Sequence, residues 1–296
     1  MDLLTPAYRG ASALAQALPS GVVEGLAPQI AALTTLAPND RRAMVERHQR
    51  RVTPGLAGAA LRRRVRAVYR SYGRYYAESF RLPSIGPTEL DERLSCDGFD
   101  HIERARRAGV GPMLCLPHLG SWEWTAFWLT RVRGIPLTAV VERIEPPALF
   151  DWFVEFRESI GMHIVPLGPH AGRELVAAIK RTDIVALLCD RDIQRTGVEV
   201  SFFGEKTTLP SGPAVMALRT GSPMLPTAVY DRGRSHHGVV MAPIPAERKG
   251  TFREDVARLT QALAEHLEEL IRRGPDQWHL LQPNWPSDYA QAPVRL

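Results

Sequence analysis

The chain reads as an α/β protein in which a central, mostly buried mixed β-sheet is flanked by helices and preceded by a helical N-terminal extension. Three observations carry this. Beyond Gly98, short apolar runs alternate with segments of helical character, the pattern of a sheet layered between helices. The chain has 296 residues, 45% of them hydrophobic, which is enough for one substantial core. No tract is low in complexity and no segment repeats, as expected of a compact unit.

In chain order, residues 1–85 are expected to form a helical, membrane-associating extension and residues 86–296 the α/β core. Between 11 and 37, Ala and Leu predominate but Pro19, Gly21, Gly25 and Pro28 interrupt them. Short apolar helices are predicted there, either dipping into a membrane surface or packing on the core as a pair. From 61 to 80, Leu61, Val65, Val68, Tyr72 and Tyr76 fall at helical spacing, while Arg62, Arg63, Arg66, Arg70 and Arg74 occupy much of the remaining surface. Such a basic face is either simply solvated or suited to anionic lipid headgroups. Strands are predicted at 113–117, 137–141, 163–167, 184–189, 224–230 and 238–242. The clearest helix opens with the capping box Thr251-Phe-Arg-Glu254, places Val256, Leu259, Leu263, Leu267 and Leu270 on one face, and ends at Gly274-Pro275.

Composition narrows the function classes. The net charge of +5 hides an excess of basic residues between 41 and 81, and Lys180, Lys206 and Lys249 are the only lysines. Arginine favours bidentate contact with phosphate and carboxylate, although GC-rich coding produces the same bias. Cys96, Cys115 and Cys189 are odd in number and form no CxxC pair. Buried reduced thiols in a cytoplasmic compartment are therefore expected, rather than a zinc or redox site. No apolar stretch approaches the ~20 residues of a membrane-spanning helix, and Met1-Asp-Leu-Leu-Thr lacks the order of a signal peptide. Neither a metal, a permanently bound cofactor nor a nucleic-acid partner is expected.

The chemistry is expected where the run Met113-Leu-Cys-Leu-Pro117 meets His118 and, five residues on, Glu123. Ligands collect at the carboxyl ends of strands in open α/β sheets, and the next helix begins with unpaired N–H groups. Gly120 permits a tight turn, and Ser121 is placed to cap the helix that carries Glu123. His118 is then either a general base or a structural, hydrogen-bonded histidine. The absence of HExxH spacing argues against metal binding. Asp190-Arg191-Asp192 follows another buried run, where charge is costly unless paired or functional. Arg143 and Arg157 meet either a phosphate or neighbouring acids. Glu199 either approaches the same pocket or lies on a surface hairpin. Thr207 to Pro213 leads into a helix whose start suits an anion. Trp122, Trp124, Phe127 and Trp128 wall an acyl groove or belong to the core.

Together these segments resemble the lysophospholipid and lipid A acyltransferase superfamily, whose hallmark is a histidine, four residues and an acid, here His118-Leu-Gly-Ser-Trp-Glu123. Phe202-Phe-Gly204, Ser211-Gly-Pro-Ala214 and Gly221-Ser-Pro-Met-Leu-Pro226 are similar to its later signature regions. Asp190-Arg-Asp192, Gly197-Val-Glu-Val200 and the tail from Pro275 to Trp285 look most like the actinobacterial phosphatidylinositol mannoside acyltransferases. The resemblance implies a glycerolipid acyltransferase-like fold and transfer of a long acyl group, such as palmitoyl, from the co-substrate acyl-CoA to a mannose hydroxyl of a phosphatidylinositol mannoside. It places the protein peripherally on the anionic cytoplasmic face of the plasma membrane. His118 becomes the base, and Glu123 or Glu199 orients it. Arg143, Arg157 and Arg191 hold phosphates, with Asp190, Asp192 and Trp122 beside the substrate. No acyl-enzyme is required, since no GxSxG elbow occurs. Alternatives are a related transferase acting on a lysophospholipid or a lipid A-like sugar, a non-catalytic membrane-surface protein, and a hydrolase releasing free fatty acid.

Overall fold

The computed structural model describes residues 2, 4–37 and 39–289. Four helices come first: α1 (Leu4–Ala17), α2 (Ser20–Leu33), α3 (Asp40–Val52) and α4 (Gly58–Arg81). α2 continues through Pro28 rather than breaking there. It approaches α4 so closely that a Cβ on Gly73 would meet the Ala31 side chain at 2.6 Å. The predicted apolar face of α4 is inward, with Leu61, Val65 and Val68 buried, and Arg62, Arg63, Arg66 and Arg70 are exposed on its other side. No helix among the described residues is long and apolar enough to cross a membrane.

Next come α5 (Pro87–Glu92), β1 (Leu94–Asp97) and α6 (Phe99–Arg107). The chain then alternates through β2 (Met113–Leu116), α7 (Trp122–Arg131), β3 (Leu137–Val141), α8 (Pro147–Ser159), β4 (Met162–Pro166), α9 (Ala171–Lys180) and β5 (Ile184–Leu188). A hairpin, β6 (Val198–Phe202) and β7 (Glu205–Leu209), interrupts before α10 (Gly212–Thr220), β8 (Met224–Arg232), β9 (Ser235–Val240), α11 (Phe252–Arg273) and the short α12 (Pro286–Tyr289). The main sheet has the order β1-β9-β8-β2-β5-β3-β4 and is parallel except between β8 and β9. This is the expected mixed sheet, with helices on both faces. Met113 and Cys115 pack into one apolar layer with Ala178 of α9, Met216 of α10 and Leu263 of α11. Leu114 and Leu116 face the opposite layer, with Trp124 and Phe127 of α7. Coverage on both faces explains why these strands read as continuous apolar runs.

The six predicted strands are present, although β9 starts earlier than expected. β1 and the hairpin were not predicted as strands. The capping box is formed: the Thr251 side chain accepts from the Glu254 backbone N–H, and the Glu254 carboxylate accepts from that of Thr251.

Strand order fixes where a site can form. The chain leaving β2 next enters the sheet at β3, beyond β5, whereas the chain leaving β5 next enters it at β8, beyond β2. The two connections depart in opposite directions, so the carboxyl ends of β2 and β5 form the topological switch point at which such sheets bind ligands.

Candidate functional site

β2 and β5 pair in parallel with Leu116 opposite Leu188. Two residues further along each strand are His118 and Asp190, and the common register brings them together. His118 Nδ1 lies 2.7 Å from Asp190 Oδ1, and the His118 backbone N–H donates to Asp190 Oδ2 at 3.0 Å. Two more donors hold the aspartate: the Trp278 indole N–H reaches Oδ2 at 2.7 Å, and the Asn284 side chain donates to the backbone carbonyl of Asp190 at 2.9 Å. Burial alone would raise the Asp190 carboxyl, but the charge and hydrogen bonds of His118 and the Trp278 donor outweigh it and hold it below the usual carboxylate range. An ionised carboxylate only accepts, so Nδ1 carries the proton and the lone pair of the neutral ring resides on Nε2.

His118 keeps a third of its side chain exposed and lines a cavity of about 580 Å³. Much of the lining is apolar, including Leu116, Ala139, Phe150, Val154, Leu175 and Met216. Polar groups converge as well: Tyr75, Arg157, Arg191, Asp192, Gln194 and Ser211. An apolar slot with a few placed polar groups suits a ligand that is mostly hydrocarbon with a polar end. Ser211 and Gly212, at the start of α10, also line it, so the expected anion-favouring helix start does face the cavity.

The expected partner of His118 requires correction. Glu123, in the first turn of α7, is buried, and its Oε1 accepts from the Tyr75 hydroxyl at 2.7 Å and from Arg157 Nη2 at 2.9 Å. Burial tends to lower the Arg157 guanidinium, but Glu123 more than offsets this, so the group stays charged. Glu199 is excluded by strand periodicity: Val200 and Phe202 of β6 face inward, which turns Glu199 to solvent, where it pairs with Lys206 at 2.8 Å. The partner is Asp190, which was expected beside the substrate.

Of the remaining expected residues, Arg157, Arg191, Asp192 and Trp122 line the cavity. Arg191 lies 3.5 Å from Glu142, and Asp192 accepts from the Gly197 backbone N–H at 2.7 Å, bracing the loop before β6. Arg143 is exposed and does not line the cavity; its guanidinium lies 5.4 Å from the Phe150 ring. Trp124, Phe127 and Trp128 are core residues of α7 rather than groove walls. Tyr75, Trp278 and Asn284 were not foreseen, since α4 and the C-terminal tail reach the site only through tertiary packing. The two tryptophans and one asparagine of the tail, Trp278, Asn284 and Trp285, were the one visible signal.

Ser121 does not cap α7. Its hydroxyl lies 3.0 Å from both Glu78 Oε2 and Asp231 Oδ1. With His236 these two acids could each place a ligand atom within 4.8 Å of the others, as around a metal. Arg93 sits 3.9 Å from Glu78, and burial pushes the Glu78 carboxyl up to about 7.

The sequence profile of the bacterial lipid A biosynthesis acyltransferase family matches residues 4–287. A Mycobacterium tuberculosis protein named phosphatidylinositol mannoside acyltransferase is 40% identical over 227 residues, covering 75% of this chain and 70% of the relative. A Mycolicibacterium smegmatis protein of the same name is 40% identical over 227 residues, covering 76% and 73%. A match running nearly the whole length, joined to a histidine–carboxylate pair whose imidazole lines a largely apolar cavity, establishes that this chain belongs to the bacterial lipid A biosynthesis acyltransferase family.

Proposed function

We propose that the protein transfers a long acyl group, such as palmitoyl, from acyl-CoA to a mannose hydroxyl of a phosphatidylinositol mannoside, with His118 as general base. The observation that carries the base assignment is the 2.7 Å contact between His118 Nδ1 and buried Asp190, which leaves Nε2 free to accept a proton at the cavity. Nε2 takes the proton of the sugar hydroxyl as its oxygen attacks the thioester carbonyl, and Asp190 stabilises the imidazolium that forms. Collapse of the tetrahedral oxyanion breaks the carbon–sulfur bond, and the proton passes from His118 to the departing coenzyme A thiolate. The apolar lining of the cavity holds the chain, while Arg157, Arg191 and the start of α10 attract phosphate-bearing parts of donor and acceptor. The names of the mycobacterial relatives support the mannoside acceptor.

Residues 1–85 are proposed to seat the protein on the anionic cytoplasmic face of the plasma membrane, leaving 86–296 as the acyltransferase core. The support is a concentration of exposed apolar side chains: Leu14, Leu26, Ile30 and Leu33 of α1 and α2 are each more than half exposed. Radiolabelled palmitoyl-CoA offered with mannosylated or unmannosylated phosphoinositide tests the acceptor. Label should pass to the mannolipid alone, and equal rates on both would remove the mannoside assignment in favour of a lysophospholipid or other sugar acceptor. Co-sedimentation with phosphatidylinositol-containing vesicles tests the membrane role. Leu26→Glu combined with Ile30→Glu should weaken it severalfold, and undiminished binding would refute that role.

A further inference from the structure

We infer that Trp278 is a positioning residue for acyl transfer, its indole N–H holding Asp190 in the rotamer that faces His118. This rests on the reading of His118 as the base. Asp190 Oδ1 is committed to the imidazole, while Oδ2 receives the backbone N–H of His118 and the indole N–H of Trp278. Without the indole, Oδ2 would keep a single donor, and the fully buried carboxylate would have to rotate or take up a proton to be satisfied. Indole is a donor only and carries no charge, so it satisfies the anion without competing with the imidazolium as a second cation would.

Trp278 is itself fixed. It is almost completely buried, with the rings of Phe203 at 5.7 Å and His48 at 5.5 Å. Its backbone also belongs to the loop it serves, because Leu119 and Trp278 form an antiparallel bridge. On either side of that bridge, the Gly120 N–H donates to the Gln277 carbonyl at 3.0 Å and the His279 N–H to the His118 carbonyl at 2.7 Å. The tail thus sets the base by its backbone and the orienting acid by one side chain, in a single frame. Such second-layer donors fix the rotamers on which proton transfer depends.

The test replaces only the N–H. Trp278→Phe removes the donor, and 3-benzothienylalanine in place of Trp278 exchanges N–H for sulfur at nearly constant shape, which guards against misfolding of the first variant. We expect kcat to fall about tenfold in both, with KM for palmitoyl-CoA and mannolipid unchanged. The acidic limb of the kcat–pH profile should move to lower pH, because an aspartate that has rotated away or taken up a proton no longer stabilises the imidazolium. Full kcat with an unmoved limb in the benzothienyl variant would overturn the inference, as would loss of activity explained by raised KM and lowered Tm. His118→Ala, run in parallel, separates the two readings. If it abolishes transfer while the Trp278 variants are neutral, positioning alone fails; if it leaves transfer intact, the base assignment fails and the inference with it.

Discussion

Asp190 and Glu123 are both buried carboxylates within seven residues of a strand end, yet they serve different partners. Asp190 sits at the end of β5, a strand adjacent to β2 and in register with it, and therefore faces His118. Glu123 sits five residues past the same histidine, in the first turn of α7, which carries it towards α4 and α8, where Tyr75 and Arg157 hold it. Sequence proximity selects Glu123, and sheet register selects Asp190. Under the proposed function, proton transfer falls to the first pair and the shape and charge of the cavity wall to the second.

The most severe way to probe this contrast is Asp190→Asn. It leaves the size of the side chain nearly unchanged but removes the charge that sets the His118 tautomer, so kcat should fall by about 10²-fold or more while KM changes little. If Glu123→Gln were instead the more damaging to kcat, the assignment of the two acids would be reversed. Glu123→Gln is expected to act mainly on stability and substrate binding. It leaves the Arg157 guanidinium poorly neutralised beside Trp122, costing about 1–3 kcal/mol in urea denaturation and raising KM more than it lowers kcat. Glu199→Gln should alter neither transfer rate nor Tm, since its only ion-pair partner among the described residues is a solvent-exposed lysine.

pH separates the site from its surroundings in a further way. Burial lowers His279 to about 4, against an ordinary value near 6.5. A histidine depressed in the folded state resists a proton that the unfolded chain accepts, so its contribution to stability is present above about 6.5 and is lost as pH falls towards 4. Glu78, raised to about 7, acts in the opposite direction, gaining stability as pH falls from about 7 to its unfolded value near 4.5. The two partly cancel in the native protein. His279→Gln should therefore gain stability on acidification from pH 6.5 to 4.5 relative to the parent, by up to roughly 3 kcal/mol. Parallel stability curves for the two proteins would contradict this.

Much of the architecture was legible because β2, β3 and β5 are covered on both faces and so appear as unbroken apolar runs, and because α11 announces itself by its capping box. β1 was not, since its alternating, half-exposed Leu94-Ser-Cys-Asp97 is too short to show a pattern. The site was legible in part. His118 stood out as a histidine closing a buried strand, and Asp190 stood out as charge at the end of another. That they touch follows from β5 inserting between β2 and β3, a consequence of crossover order that no local spacing encodes. The contribution of Trp278 depends on a contact 88 residues away from Asp190 in sequence and was hidden for the same reason.

Product analysis bears most directly on the role of His118. The purified protein and its His118→Ala variant would be given palmitoyl-CoA and a phosphatidylinositol mannoside, and the lipids resolved by mass spectrometry. The parent should yield a mannolipid heavier by one palmitoyl group, and the variant should form it ~10²–10⁴-fold more slowly. Acylated product at an undiminished rate from the variant, or free palmitate as the only product of the parent, would contradict a base-assisted transfer centred on His118.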